Sequence, residues 1–336
     1  MLDVTRLRVL VAVARHGSVT AAARALNYAQ PSVSHHLARL EAETGTKLVQ
    51  RAGRGIRLTD AGRLLAERAA EVIGRLDAAE NELAVYTGLR AGRLRLAAFP
   101  SALGTLVPAA AAMLQERSPR VDLRLTEAEP PEAVRMLRAG YVDVALIFRH
   151  EPEGEAAGGD GTTAGQGDLR EQVLLAEPVH LIVPSRGEPL FPPAVSEIRP
   201  GELARLAGQR WIAGCDRCRE HLLRQCAAAG FTPRIAFTTD DFVAVQALVA
   251  AGLGVALLPG LALRAARNPS VRTARLRGTR RSVIAVRYGD PPDPPATALL
   301  LDALRSAAAP AAGPAAVSAA GSAAVPAGAP EPAPVP

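Results

Sequence analysis

Lysine is almost missing from this chain: Lys47 is the single example among 39 basic residues. Cysteine is scarce too, with three in 336 residues. So few thiols, odd in number, do not suggest a secreted disulfide scaffold. No stretch of about eighteen uncharged apolar residues occurs, so no membrane span is expected. The opening MLDVTRLRVLVAVARHG is partly apolar, but Arg6, Arg8 and Arg15 interrupt it and no small-residue cleavage site follows. A signal peptide is therefore not expected, and the cytoplasm is the expected location. No G-x-S-x-G stands in the chain and the histidines are scattered, so no nucleophile–base constellation is legible and no catalytic residue is assigned. Gly252 and Gly254 lack the third glycine of a G-x-G-x-x-G fingerprint, and a turn accounts for them.

What is present is arginine. Net charge is +6 and the sequence pI about 9.9, which permits a nucleic-acid partner without proving one. The length suggests about two or three domains. Two segments stand outside any core. EPEGEAAGGDGTTAGQGD (151–168) is nearly free of large apolar residues and reads as a loop insertion. From about Ala307 to Pro336 the chain is Ala, Pro, Gly and Ser, the composition of a disordered tail.

Helical spacing puts Leu7, Leu10, Val11 and Ala14 on one face of a first helix. Gly17 ends it. Ser18 is the expected N-cap of a second helix carrying Val19, Ala22, Ala23 and Leu26 inward. Asn27–Gln30 makes a turn, Pro31 suits the first turn of a third helix, and Gly45 stops that helix. At about 100° per residue, Val33, Leu37 and Leu40 form its inward stripe. Pro31, His35, Ala38 and Ala42 lie opposite, flanked by Ser32, Ser34 and Arg39. Small residues permit close approach, and Ser, His and Arg donate to base edges and phosphates. Such a face suits a major-groove reader. The plainer reading is a three-helix bundle with a solvated polar side.

TKLVQRAGRGIRLTDAG (46–62) reads as two short strands around RAGRG, a basic hairpin with Arg51, Arg54 and Arg57. Residues 1–60 hold nine basic residues against four acidic, a net +5. That is most of the chain's excess and fits a winged helix-turn-helix on DNA. Then Leu65, Ala69, Val72, Leu76, Ala79, Leu83 and Tyr86 recur at spacings of 4, 3, 4, 3, 4 and 3. A seam this narrow suits a partner helix, and self-pairing would set two units on one near-palindromic duplex. The alternative is a long helix packed on its own domain.

These residues carry a resemblance. LVAVARHGSVTAAARALNYAQPSVSHHLARLEAETGTKLVQRAGRGIRLTDAG resembles the N-terminal signature of LysR-type transcriptional regulators over about sixty residues, almost without gaps. The resemblance implies DNA contacts by Gln30, Pro31, Ser34 and His35, with Thr20, Ser32, His36 and Arg39 beside them and Arg51 and Arg54 in the wing. Val49 replaces the usual Phe, and His35 stands where Arg or Gln is common.

From Gly92 the pattern alternates between strands and helices, which argues for largely parallel sheets with ligands at strand ends. GRLRLAAFPSALGTLVPAAAAMLQERSPRVDLRLTE and LVAAGLGVALLP look like the LysR effector domain, itself similar to type 2 periplasmic binding proteins. The expected fold class is α/β. It comprises a helix-rich winged helix-turn-helix (1–60), a long linker and dimerisation helix (61–91), and a two-subdomain effector domain (92–306). Subdomain I would be about 92–172 plus 270–306, and subdomain II about 173–269. By the same analogy a small-molecule effector would meet Pro100, Ser101, Ala102, Phe148, Arg149, Gly214, Cys215, Thr239 and Asp240. Ser101 reads equally as a simple helix cap.

CDRCREHLLRQC sets Cys215, Cys218 and Cys226 near His221. C-x2-C-x2-H looks like part of a metal site, but no second ligand pair is evident, so no metal or cofactor is expected. Peroxide-sensing LysR members carry their cysteine pair in this stretch, though at another spacing. The leading expectation is a sequence-specific, effector-controlled transcription regulator acting as a homodimer or homotetramer. The alternatives are a thiol-redox sensor of the same family, and a solute-binding or catalytic α/β protein with an N-terminal dimerisation module.

Overall fold

The computed structural model describes residues 2–52, 55–86, 93–152, 163–164, 168–187, 190–192 and 194–309. Three helices come first: α1 (Val4–His16), α2 (Val19–Ala25) and α3 (Gln30–Thr44). Asp3 caps α1, its carboxylate accepting the Arg6 amide at 3.1 Å. Ser18 caps α2 as expected, accepting from the Ala21 amide at 3.0 Å. Asn27 sits at φ 54°, a left-handed turn that asparagine tolerates and that swings the chain into α3. Val33, Leu37 and Leu40 are buried, as the α3 stripe requires. The α1 stripe is different. Ala14 is exposed, and Val9, Ala12 and Val13 are buried with Leu7 and Leu10. The reason is that α1 packs against α2, α3 and a fourth helix at once, so its apolar arc is wider than one stripe.

An antiparallel hairpin follows, β1 (Val49–Ala52) and β2 (Gly55–Leu58), then the long α4 (Asp60–Tyr86). The first half of α4 belongs to the N-terminal core: Ala66, Ala69 and Ile73 are buried there, and Leu65 packs against it. This corrects the heptad reading at Leu65 and Ala69, whose surfaces α1 and its neighbours already occupy. Only further along does the stripe turn outward. Val72 is 53% exposed and Leu76 41%, with Ala79 exposed beyond them. Leu83 and Tyr86 lie outside the residues whose side chains are described.

The remainder is one α/β unit. β3 (Arg93–Ala98), α5 (Pro100–Leu103), α6 (Leu106–Arg117), β4 (Asp122–Glu127), α7 (Pro130–Arg138) and β5 (Val144–Pro152) come first. The short β6 (Thr163–Ala164) and long β7 (Leu169–Pro184) follow. Next are β8 (Glu197–Ile198), a 3-10 turn (Pro200–Leu206), β9 (Arg210–Ala213) and α8 (Asp216–Ala228). After these run β10 (Arg234–Thr238), α9 (Phe242–Ala250), β11 (Val255–Pro259) and α10 (Gly260–Ala265). β12 (Val271–Tyr288) and α11 (Pro295–Ala308) complete it. Of the expected insertion 151–168, residues 153–162 and 165–167 lie outside the described residues; of the tail expected from about Ala307, α11 takes in Ala307 and Ala308, and residues from 310 on lie outside the described residues.

The sheet runs β10-β9-β11-β7-β12-β5-β3-β4. It is mixed rather than largely parallel. The clusters β3/β4/β5 and β9/β10/β11 are parallel, but β7 and β12 pair antiparallel with each other and join the clusters. Helix–strand alternation could not reveal this, because β7 and β12 are adjacent only in space. Each cluster has its own apolar core, and the two long strands cross between them. The expected subdomain boundary at 172/173 falls inside β7. Among the described residues no helix is long and apolar enough to cross a membrane.

The N-terminal unit is seated on the first cluster through α4. Gly74 meets the end of α7 so closely that a Cβ there would overlap the Ala139 carbonyl, and one at Gly140 would overlap the Gly74 backbone. Beside this contact the Arg15 guanidinium lies 4.6 Å from the Tyr141 ring centroid, and that of Arg75 4.4 Å from Tyr288. Gly74→Ala should therefore lower stability by about 1–3 kcal/mol through overpacking. Gly201→Ala, where an added Cβ meets nothing within 4 Å, serves as control. Urea midpoints check this, and equal midpoints for the two variants would contradict the close seat.

Candidate nucleic-acid interface and ligand cleft

Thr20, Gln30, Pro31, Ser32, Ser34, His35 and Arg39 are all exposed, on α2 and on the face of α3 opposite its core. His36 is half-buried and stacked on Tyr28, ring centroids 5.9 Å apart. The two histidines thus part company: Tyr28 holds His36, and His35 stands outward. Among the described residues α3 itself puts no acid on this face, and Asp3, which interacts with His36, is engaged in capping α1. Glu43 pairs with Arg6, and Glu41 turns toward the hairpin. There Oε1 of Glu41 accepts from the Leu48 and Val49 amides at 2.9 and 3.2 Å, and Oε2 from Lys47 Nζ at 2.7 Å. Burial opposes the Glu41 charge, but Lys47 and the two amides outweigh it and hold its carboxyl below the usual range. The one lysine of the chain thereby helps fix the hairpin against α3. Arg57 is exposed in β2; the Arg51 side chain and all of Arg54 lie outside the described residues.

The second site lies between the two strand clusters, a cavity of about 50 Å³. Pro100, Ser101, Phe148, Gly214, Cys215, Thr239 and Asp240 line it, as the sequence suggested. Two expected residues do not. Ala102 is fully buried in the first core, one position past the turn that brings Ser101 to the cleft. Arg149 points to the opposite face of β5 from Phe148, as strand alternation requires, and pairs with Glu171 at 2.7 Å.

The main residue missed by sequence reasoning is Arg281. It is 2% exposed and sits directly opposite Glu177 on the paired strands β12 and β7. Its Nε donates to Glu177 Oε1 at 2.6 Å and its Nη2 to Ser101 Oγ at 2.9 Å. The guanidinium also lies 4.9 and 4.7 Å from the Phe99 and Phe148 ring centroids. Ser101 is therefore neither a helix cap nor a free hydroxyl. The other Glu177 oxygen accepts the Leu261 amide at the start of α10. Glu129, the capping position of α7, was also missed. Its Oε2 is buried with no hydrogen-bond partner, and burial pushes its carboxyl up.

Comparison with known proteins identifies both units. Residues 4–63 match the family described as "Bacterial regulatory helix-turn-helix protein, lysR family", and residues 87–309 match "LysR substrate binding domain". The chain belongs to the LysR family. It is a transcriptional regulator with a DNA-reading unit and a ligand-binding unit. A probable HTH-type transcriptional regulator, LrrA, of Synechococcus elongatus is 29% identical over 78% of this chain and 82% of its own. The DNA-binding transcriptional dual regulator OxyR of Escherichia coli K12 is 28% identical over 78% and 80%. Among solved structures, the LysR regulator CbnR covers 91% of this chain and 99% of its own, with a TM-score of 0.62 and 21% identity. CbnR in complex with its target DNA gives 0.61 at 21% identity, covering 91% and 100%.

In this LysR protein α8 carries two cysteines at the cleft and a histidine behind it. Cys215, the capping residue, donates its thiol to Cys218 across 3.3 Å, and both line the cleft. This contact with Cys215, opposed by burial and aided by Arg281, lowers the Cys218 thiol; the same contact and burial raise that of Cys215. Cys226 is buried in the second core, where burial pushes it up to about 12. Among the described residues no cluster of three or more His, Cys, Asp or Glu could hold a metal ion.

His221 faces the other way and stacks on His150 of β5, centroids 4.0 Å apart and planes within 9°. Neither ring nitrogen of His150 has a partner, nor does His221 Nε2. Burial first, then His221 and the cations Arg281, Arg224 and Arg217, lower His150 to about 2; burial and Arg224 lower His221 to about 4. Both are neutral when folded and protonate when unfolded near 6.5. Stability is therefore full above pH 6.5 and falls as pH drops toward 4, by about 1.4 kcal/mol per histidine per pH unit. His221→Phe should flatten that fall. Urea midpoints taken from pH 7.5 to 4.5 check it, and an unchanged slope would count against the stacked pair.

Proposed function

We propose that this LysR regulator reads operator DNA through the outward face of α3 and the basic hairpin, as a cytoplasmic homodimer controlled by an effector in the cleft. Gln30, Pro31, Ser34 and His35 take the base edges. Thr20, Ser32, His36 and Arg39 support them, and Arg51 and Arg54 meet the flanking backbone. The single observation that carries the reading is the exposed face of α3, bearing no acid of its own, beside a hairpin clamped by Glu41. Val72, Leu76 and Ala79 form the part of α4 open to a partner helix, continued by Leu83 and Tyr86. The reading divides the chain at about residues 60 and 91, with the effector unit ending near 306 in two subdomains, and assigns it no reaction. Effector binding in the cleft changes the relation of the two strand clusters, and α4 passes the change to the DNA units.

Genomic fragments retained by the full-length protein identify the operator, and footprinting with a salt titration tests the face. The combined Ser34→Ala, His35→Ala and Arg51→Ala variant should lose at least about tenfold in affinity and show a shallower salt slope. Val72→Arg with Leu76→Arg should shrink the footprint toward a half-site. Unchanged binding by the triple variant would overturn the assignment.

A second reading, thiol sensing, is favoured by one observation: the 3.3 Å approach of Cys215 and Cys218. Two thiols there would give up two electrons and two protons to hydrogen peroxide, leaving a disulfide and two waters. It involves Cys218 with Cys215, and not the core residue Cys226. Peroxide should then alter the footprint of the wild type and leave that of Cys218→Ser unchanged. An identical footprint with and without peroxide removes this reading.

A further inference from the structure

We infer that the cleft selects a cationic effector, an organic ammonium or amidinium on an apolar body, and rejects carboxylates and phosphates. The inference rests on the reading of the cleft as the effector site and concerns only the chemistry it accepts. Anions are held in sites of this kind by free amides at helix starts and by unspent cations. Much of each source is removed or occupied here.

Four helices that open on the cleft have their first amides removed or occupied. α5 starts with Pro100, and α7 starts with Pro130 and Pro131, neither of which has an N–H. α9 is capped by its own Asp241, whose Oδ1 takes the Val243 and Ala244 amides at 2.8 and 3.2 Å. α10 gives its Leu261 amide to Glu177. The fifth, α8, has no side-chain cap, and the thiols of Cys215 and Cys218 stand in contact at its start. Among the described residues lining the cleft, Arg281 is the one cation, and Glu177 and Ser101 already hold it.

What is left over is negative. Glu129 and Asp240 line the cleft, and the cation that acts on Glu129, Arg281, is already held by Glu177. Glu129 does not cap its own helix by a side-chain bond, and its Oε2 is enclosed without a partner. A protonated amine supplies both missing things at once: donors for that oxygen and a charge opposite to both carboxylates. Phe242, Val245, Leu257, Leu258 and Ala262 offer the apolar wall for the rest of the molecule. Burial, aided by the nearby Asp240 charge and opposed by Cys215 and Arg281, pushes the Glu129 carboxyl up, and a bound cation would favour its charged form.

The test uses the full-length protein and three matched probe sets of similar size: 2-phenylethylammonium and benzamidinium, 3-phenylpropionate and benzoate, and 2-phenylethanol. Melting temperature and calorimetric titration are read for wild type, Glu129→Gln and the exposed-site variant Asp240→Asn. The expected result is binding by the cations alone, weakened about tenfold or more in Glu129→Gln. Binding by the carboxylates or the alcohol overturns the cation choice while leaving the effector reading intact. Cation binding unchanged in both variants also overturns it. A set in which no charge class binds overturns this proposal and the effector reading together.

Discussion

The ion pair between Arg281 and Glu177 is the constraint on which the effector unit depends. It occupies the one place where β7 and β12 pass from one strand cluster to the other, and it is inaccessible to water. Charges so enclosed are tolerable only when every donor and acceptor is engaged. Here the guanidinium holds Ser101 and lies against two phenylalanine rings, and the carboxylate also caps α10. Leaving either charge alone would cost about 3–5 kcal/mol. Any change in the relation of the clusters must therefore keep the pair intact and turn about it.

Around that pivot the aromatic groups are continuous. Phe99 meets Phe148 edge-on at 5.0 Å, Phe148 meets His150 at 5.6 Å, and His150 stacks on His221. The first three belong to one cluster and the last to the other. The stack is neutral and lacks hydrogen bonds, so it contributes contact area rather than direction. That combination, a directional ion pair beside a non-directional stack, permits small rotations at fixed separation.

Much of the DNA-reading unit was legible because its information is local. A cap, a left-handed turn and a three-residue inward stripe each involve residues within a turn or two of one another, and Ser18, Val33, Leu37 and Leu40 behave accordingly. The α4 seam misled at Leu65 and Ala69 because a heptad pattern cannot say which neighbour fills it, and α1 got there first. In the cleft, Arg281 and Glu177 stand 104 residues apart, and nothing in either segment marks the other. Arg149 is a different kind of error. Strand alternation, read from Phe148, already put it on the wrong face for the cleft.

One arrangement joins the two halves of the molecule. α7 begins at Glu129 in the cleft and ends at Ala139–Gly140, against the bare backbone of Gly74. Nine helical residues make a strut of about 13 Å. With no side chain at Gly74 or Gly140 to bend, the joint has no cushion. A shove on one end of this strut must reach the shaft that carries the DNA-reading helices, or else break the strut.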